Sequence, residues 1–383
     1  MDILKLNKIS NLVNDVFDEK YNLVDESENP TAVLVRSFDM KTNYTLPDSV
    51  LAVGRAGAGT NNIPLDDYAK KGVVVFNTPG ANSNAVKELV ICGLLLASRD
   101  ILGGASFVKS TDATDDIAKV CEKNKSKFAG NEIYGKTLGV IGLGAIGRKV
   151  ADAATSLGMK VIGYDPFLND NIKQMLPASM ETVDSLNNLY PKCDFITLHI
   201  PYNAQTKDTI NEESIAKMKD GVKILNFARG ELVNNTALLN NLGTKVCKYV
   251  TDFANAEIVN KQNIIVLPHL GASTLEAEDN CALMAANELK DYIENGNIKN
   301  SVNFPNIELK RNGKSRITVS FINENDIEDS IIKFINENIK VVASTSLIRG
   351  NYGYIIFDTN DDTAKIESIL SNAKNITKVR VLH

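Results

Sequence analysis

The chain is sparing with the residues that announce several protein classes. It carries three histidines, His199, His269 and His383, and five cysteines, Cys92, Cys121, Cys193, Cys247 and Cys281. The cysteines are odd in number and widely spread, and no Cys-x-x-Cys occurs. That pattern speaks against a disulfide frame or a zinc site and suits reduced thiols in a cytoplasm. No compact His/Cys/Asp cluster suggests a metal. Basic charge is not in excess: the net charge is -5, which argues against a nucleic-acid binder. Long apolar runs are missing as well. The longest, 89–97, is bounded by Lys87-Glu88 and Arg99-Asp100; it is too short to span a bilayer and reads as a buried helix. Met1-Asp2-Ile3 opens no basic segment followed by an apolar core and a small-residue cleavage site, so neither a signal peptide nor a membrane partner is expected. Longer-period repeats and low-complexity tracts are absent too.

What is present is a globular composition, 44% hydrophobic and 23% charged, on a chain of 383 residues. That length exceeds one core, so two or three domains are expected. Short Val- and Ile-rich runs at 31–36, 51–54, 73–76, 137–141, 160–164, 195–198, 222–226, 249–252 and 264–267 alternate with helical patterns such as 85–97, 146–157 and 276–295. Alternation of this kind predicts parallel sheets covered on both faces, with ligands at the carboxyl ends of the strands. From 297 to 315 Asn, Lys, Gly and Pro replace the apolar runs, which reads as a linker. After it the order becomes strand 316–322, helix 327–338, strands 340–348 and 353–358, helix 363–373 and strand 376–382. This is a βαββαβ unit of a small α+β domain.

The most specific motif is Gly142-Leu143-Gly144-Ala145-Ile146-Gly147. Taken alone, a Gly-x-Gly-x-x-Gly is weak; here a strand precedes it, a helix follows, and a second strand ends in Asp165. Gly142 permits the tight turn, Gly144 lets backbone approach a pyrophosphate at the helix N-terminus, and Gly147 allows close helix–strand packing. Asp165 can accept from ribose hydroxyls and would repel a 2′-phosphate, so NAD is preferred over NADP. A bound NAD requires a proton carrier, and the histidines are few. His383 is terminal, while His199 and His269 both follow strands.

Asn226-Phe227-Ala228-Arg229-Gly230, Asp252-Phe253 with Glu257, and Pro268-His269-Leu270-Gly271-Ala272-Ser273-Thr274 resemble the signatures of the D-2-hydroxyacid dehydrogenases. The run 53–62, Val-Gly-Arg-Ala-Gly-Ala-Gly-Thr-Asn-Asn, and Phe76-Asn77-Thr78-Pro79-Gly80 narrow the likeness to members that act on a small phosphorylated hydroxyacid. The resemblance covers roughly 30–305. It implies two doubly wound parallel-sheet domains: a Rossmann nucleotide domain, 95–269, inserted in a flavodoxin-like substrate domain, 1–94 plus 270–304. It also implies a C-terminal ACT-like domain, 305–383. Arg229 would grip the substrate carboxylate as a bidentate fork. His269 would take the hydroxyl proton, and Glu257 would hydrogen-bond the other ring nitrogen and stabilise the imidazolium. The N–H groups of Ala56 and Gly57 would help hold the carboxylate, and Arg55 would pair with a phosphate, with Arg36 and Lys41 as further candidates. Thr78, Ala145, Ile146, Ile200, Ala228 and Asp252 would line the cofactor.

The span between Glu257 and His269 is short for the family, which suggests a trimmed loop. ACT ligand loops carry Pro-Gly after the first strand; here the stretch is Asn323-Glu324-Asn325-Asp326-Ile327-Glu328, without glycine. An added Cβ there hinders close backbone approach, so amino-acid effector binding and oligomerisation stand as alternatives for this domain. The family association implies a homo-oligomer, dimer or tetramer. Two rival readings are a hydroxypyruvate or glyoxylate reductase and a non-enzymatic NAD-sensing corepressor.

Overall fold

A computed structural model describes residues 1–383 as two compact units, Met1–Asn82 with Leu275–His383, and Ser83–Thr274. The first holds β1 (Asp2–Leu6), β2 (Asn22–Val24), β3 (Ala32–Val35), β4 (Ala52–Arg55) and β5 (Val74–Phe76). They pair in parallel in the order β2-β1-β3-β4-β5, the flavodoxin-like order. Every residue of β3 and β5 is buried, as strands covered on both faces require. Alternation divides the side chains between two cores. Ile3, Ala32, Leu34, Ala52, Val74 and Phe76 pack with Ala285, Leu289 and Tyr292 of the helix Leu275–Asn295. Leu4, Val33, Val35, Val53 and Val75 pack on the other face.

The unit Ser83–Thr274 is built on β6 (Thr137–Ile141), β7 (Lys160–Tyr164), β8 (Glu181–Thr182), β9 (Phe195–Leu198), β10 (Val222–Asn226), β11 (Val246–Thr251) and β12 (Ile264–Val266). These seven parallel strands run in the order β12-β11-β10-β9-β6-β7-β8. The order reverses beside β6, the switch point at which doubly wound sheets bind dinucleotides. Helices Ser83–Ser98 and Ala145–Ser156 cover one face through Val90, Leu94, Val150 and Ala154. No single helix of the chain is long and apolar enough to cross a membrane.

The C-terminal module is an antiparallel sheet of β13 (Ser315–Ile322), β14 (Val341–Arg349), β15 (Tyr352–Thr359) and β16 (Ile376–Leu382), ordered β14-β15-β13-β16. Its helices Ile327–Asn338 and Ile366–Ser371 cover one face, where Ile317, Val319, Phe321, Ile355 and Phe357 meet Ile331, Ile335 and Leu370.

The opposite face of this sheet is polar in sequence, yet it is buried within the first unit. It caps the C-terminal end of the helix Leu275–Asn295, where Tyr292 O accepts the Gly296 N–H and the carbonyls beyond it have no partner within the helix. Arg380 donates to the carbonyls of Tyr292 (2.9 Å) and Ile293 (2.6 Å), Arg316 to that of Asn295 (2.8 Å), and the Tyr354 hydroxyl to that of Gly296 (2.9 Å). Two guanidinium groups at the negative end of a helix dipole are favourably placed. The segment 297–315, which reads as a linker, is instead packed structure. Ile298, Phe304 and Ile307 are core residues, and Asn303 Oδ1 accepts from Val75 N–H (2.9 Å) while its Nδ2 donates to Val73 O (2.9 Å). Its asparagines serve as side-chain partners for backbone groups left open at β5, which composition alone does not reveal.

Candidate active site

The glycine loop follows β6. Gly142 has φ +94°, a left-handed conformation that a side chain resists, and a Cβ there would lie 2.6 Å from His199 O. A Cβ on Gly147 would collide with Gly142 O, whereas one on Gly144 would meet nothing within 4 Å. The first and third glycines therefore serve the protein's own packing, and the second opens onto free space at the start of the helix Ala145–Ser156. Asp165, at the end of β7, ties this loop down. Its Oδ2 accepts the Leu143 N–H and its Oδ1 the Phe167 N–H, each at 2.8 Å, and the remaining lone pairs stay available to hydroxyl donors. Ala145 is exposed, and Ile146 and Ile200 are half-buried.

The turn after β10 carries Ala228 and Arg229. Sequence reading overlooked the residue that shapes it. Asn226 is fully buried; its Oδ1 accepts from Ala228 N–H (3.2 Å) and its Nδ2 donates to Arg229 O (2.8 Å). The Arg229 side chain is exposed, with Nη1 donating to Ala228 O (2.6 Å). After β11 comes Asp252, 1% exposed. Its Oδ2 accepts from Gly271 N–H (2.9 Å), while Oδ1 is buried with no hydrogen-bond partner. Burial raises its pKa, opposed by the Gly271 N–H and by Coulombic interaction with His269 and Arg229. The acid, the imidazole and the guanidinium are thus electrostatic neighbours at the carboxyl ends of β10 to β12.

His269 has φ +27° and donates its N–H to Asp252 O (2.9 Å); its exposed ring tilts against Phe253, centroids 4.8 Å apart. The expected bond from Glu257 to this ring is not formed. Glu257 is exposed, and its Oε2 accepts from Asn235 Nδ2 (2.7 Å) at the start of the helix Asn235–Asn241. His199 is bound to Thr197 Oγ1 through Nε2 (3.0 Å), and desolvation lowers its pKa to about 3, so it stays neutral at pH 7.

The remaining candidates lie in the unit of β1 to β5. Arg55 ends β4 with its guanidinium against Gly57, where a Cβ would strike it. The N–H groups of Ala56 and Gly57, expected to hold a carboxylate, are used internally, donating to Val35 O and Arg55 O at 2.8 Å each. The continuation of β-type pairing past Arg55 takes the first, and the tight turn at Gly57 takes the second. Arg36 forms an ion pair with Glu278 (2.8 Å), and Lys41 is exposed. Thr78 is fully buried; its N–H donates to Gly57 O (3.1 Å) and its Oγ1 has no partner.

An open space at Gly144, an acid at the end of β7, and the unpartnered Asp252 Oδ1 together fit an NAD molecule: the helix N-terminus would hold its pyrophosphate, Asp165 would accept from its ribose hydroxyls, and Asp252 would accept from a further donor of the cofactor. Comparison with known proteins agrees. Residues 92–271 match the family model for the NAD-binding domain of D-isomer specific 2-hydroxyacid dehydrogenases. The chain is 31% identical over 373 residues to a putative D-3-phosphoglycerate dehydrogenase of Schizosaccharomyces pombe, covering 89% of this chain and 76% of that one. It belongs to the D-isomer-specific 2-hydroxyacid dehydrogenase family. Further relatives are the D-3-phosphoglycerate dehydrogenases of Methanocaldococcus jannaschii (34% identical, 77% of this chain, 56% of that one) and Homo sapiens (34%, 74% and 52%). The chain thus spans about half the length of these two relatives. Among solved structures, NAD⁺-bound 3-phosphoglycerate dehydrogenase of Entamoeba histolytica shares 26% identity, with a TM-score of 0.60 over 79% of this chain and 98% of that one. A glyoxylate reductase from Paecilomyes thermophila shares 26% identity, with a TM-score of 0.63 and the same coverage.

Proposed function

We propose that this chain is an NAD-dependent dehydrogenase that oxidises 3-phospho-D-glycerate to 3-phosphohydroxypyruvate, the entry reaction of phosphorylated serine synthesis. The observation that carries the reading is the convergence of Arg229, Asp252 and His269 at neighbouring strand ends beside a dinucleotide loop. The names of relatives in archaea, animals and fungi support the substrate. NAD, when bound, supplies the acceptor for the hydride that leaves C2. The chain supplies the rest. Arg229 presents a planar fork of donors to the substrate carboxylate and polarises the C2 oxygen. His269 takes the hydroxyl proton on its ring. Asp252 lends negative charge beside the imidazolium, and Glu257 is assigned the same task once it leaves Asn235. Arg55 is assigned to the 3-phosphate, as a charge-assisted contact.

The glyoxylate reductase match gives substance to a second reading, a reductase of unphosphorylated 2-keto acids. Purified protein with NADH separates the two through loss of absorbance at 340 nm. The proposal expects kcat/KM for 3-phosphohydroxypyruvate to exceed that for hydroxypyruvate and glyoxylate by at least tenfold, the value of about one charge-assisted contact. Equal values overturn the phosphate assignment. NADH binding without any turnover favours a sensor.

The five unpaired cysteines support work in the cytoplasm. The helix Ile101–Ser110 buries none of its residues and exposes Ile101, Leu102 and Val108, which supports a homodimer through the nucleotide unit; sedimentation tests it.

A further inference from the structure

The helix Leu275–Asn295 carries one acid into the core. Glu288 is 6% exposed. Its Oε1 accepts from Asn300 Nδ2 (2.7 Å), and its Oε2 is buried with no hydrogen-bond partner. No ion pair reaches it. Of the charged groups on the elements packed around it, Lys290 is engaged by Asp18 and Val16 O, and Asp291 by Asn295 and Asn297. Arg349, from β14, donates to Ser301 O (2.6 Å) and not to Glu288. Lys299 alone acts on Glu288, and its charge does not offset the desolvation.

Asn300 links this acid to the substrate loops. It adopts φ +57°, and its carbonyl accepts the Asn77 N–H (3.2 Å). The next residue, Ser301, forms an antiparallel bridge with Phe76. Asn77 Nδ2 in turn donates to Ala58 O (2.6 Å), and the adjacent Thr78 N–H to Gly57 O. The loop of Arg55, Ala56 and Gly57 is therefore hung from Asn77, Asn77 from Asn300, and Asn300 from Glu288.

We propose that Glu288, in its neutral form, is a positioning residue that holds the Arg55–Ala58 loop for substrate through Asn300 and Asn77. A charged carboxylate with one unsolvated oxygen can be relieved only by admitting water or by swinging out, and either loosens Asn300. Burial, the dominant effect, raises the pKa of Glu288 to about 8, against the opposing influence of Asn300 and Lys299. The acid is thus neutral at pH 7 and loses its proton just above.

This inference rests on the dehydrogenase reading, and its test keeps the two apart. Glu288→Gln mimics the neutral acid and cannot ionise. KM for the keto acid and the NADH dissociation constant are measured from pH 7 to 9 in wild type and variant. Taking the ratio of KM values cancels pH effects common to both proteins. Equal KM at pH 7, then a ratio rising about tenfold by pH 9 as the competent fraction falls, is expected, with NADH binding unchanged in both. Asn300→Ala should show the raised KM already at pH 7. A constant ratio in two active enzymes overturns the positioning role alone. Absence of turnover in both overturns the dehydrogenase reading and the positioning role with it.

Discussion

Arg316 and Asp358 face each other across neighbouring strands with no exposed surface on either side chain, Nε to Oδ1 at 2.7 Å and Nη2 to Oδ2 at 2.9 Å. The remaining guanidinium donors reach the carbonyls of Asn295 and Leu309. A bidentate pair so completely satisfied fixes the C-terminal sheet to the helix that it caps. Asp358→Ala leaves a buried, unpaired guanidinium and should cost ~3–5 kcal/mol in chemical denaturation. The module and the β1–β5 unit should unfold together in that experiment. Two separate transitions, with only the first affected, would contradict the shared core of Tyr292, Tyr354 and Ile356.

A related expectation follows from the acid buried in the same helix. Glu288 binds its proton more tightly folded than unfolded, so between the ordinary glutamate range and about pH 8 the native state holds the extra proton. Stability therefore falls as pH rises through that window and levels off above it. Thermal unfolding of wild type from pH 5 to 9 should show this decline, and Glu288→Gln should flatten it. An identical slope in both proteins would assign the decline to other groups.

His269 and His199 divide sharply in expectation. His269→Asn should leave NADH binding intact while kcat drops ~10²–10⁴-fold, the usual range for a lost general base. His199 is desolvated, neutral and bonded to Thr197, so His199→Gln should keep kcat within a few-fold of wild type. Stopped-flow single turnovers separate binding from chemistry, and a surviving fast phase in the His269 variant would transfer the base role elsewhere.

The glycine loop could be read from sequence because its pattern is local: the positive φ at Gly142 and the approach of Gly147 to Gly142 O lie within one short turn, although His199 also crowds Gly142. The alternation of short apolar strands with helical stretches, which predicts parallel sheets, is local in the same way, whereas the order of the strands is not. What stayed hidden depends on partners far along the chain. Asn226 looks like any strand-end amide until its side chain closes the Arg229 turn. Asn303 looks like linker composition, yet it completes the edge of β5 more than two hundred residues away in sequence. The polar face of β13, β15 and β16 lies against the end of the helix Leu275–Asn295, and sequence alternation reports its polarity but not what lies opposite.

Arg55 offers a test of substrate class. It ends β4 with its guanidinium against Gly57, in the loop assigned to substrate. Arg55→Ala should raise KM for the phosphorylated acid by an amount worth ~1.5–3 kcal/mol and leave hydroxypyruvate nearly unaffected. Equal losses on both substrates would place Arg55 on the carboxylate or in the loop's own structure.

Glu257 is bound to Asn235 and not to His269, and this arrangement yields a paired prediction. If the acid acts on the imidazolium, its bond to Asn235 competes with catalysis, because one exposed carboxylate cannot hold both partners in the same rotamer. Glu257→Gln removes the charge and should lower kcat by roughly 10²-fold, the low end of acid–base contributions. Asn235→Ala releases the carboxylate and should leave kcat unchanged or raise it. A fall in kcat for the Asn235 variant that matches the Glu257 variant would reverse the roles: the amide would then hold the acid in its working position, and the pairing with His269 would be abandoned.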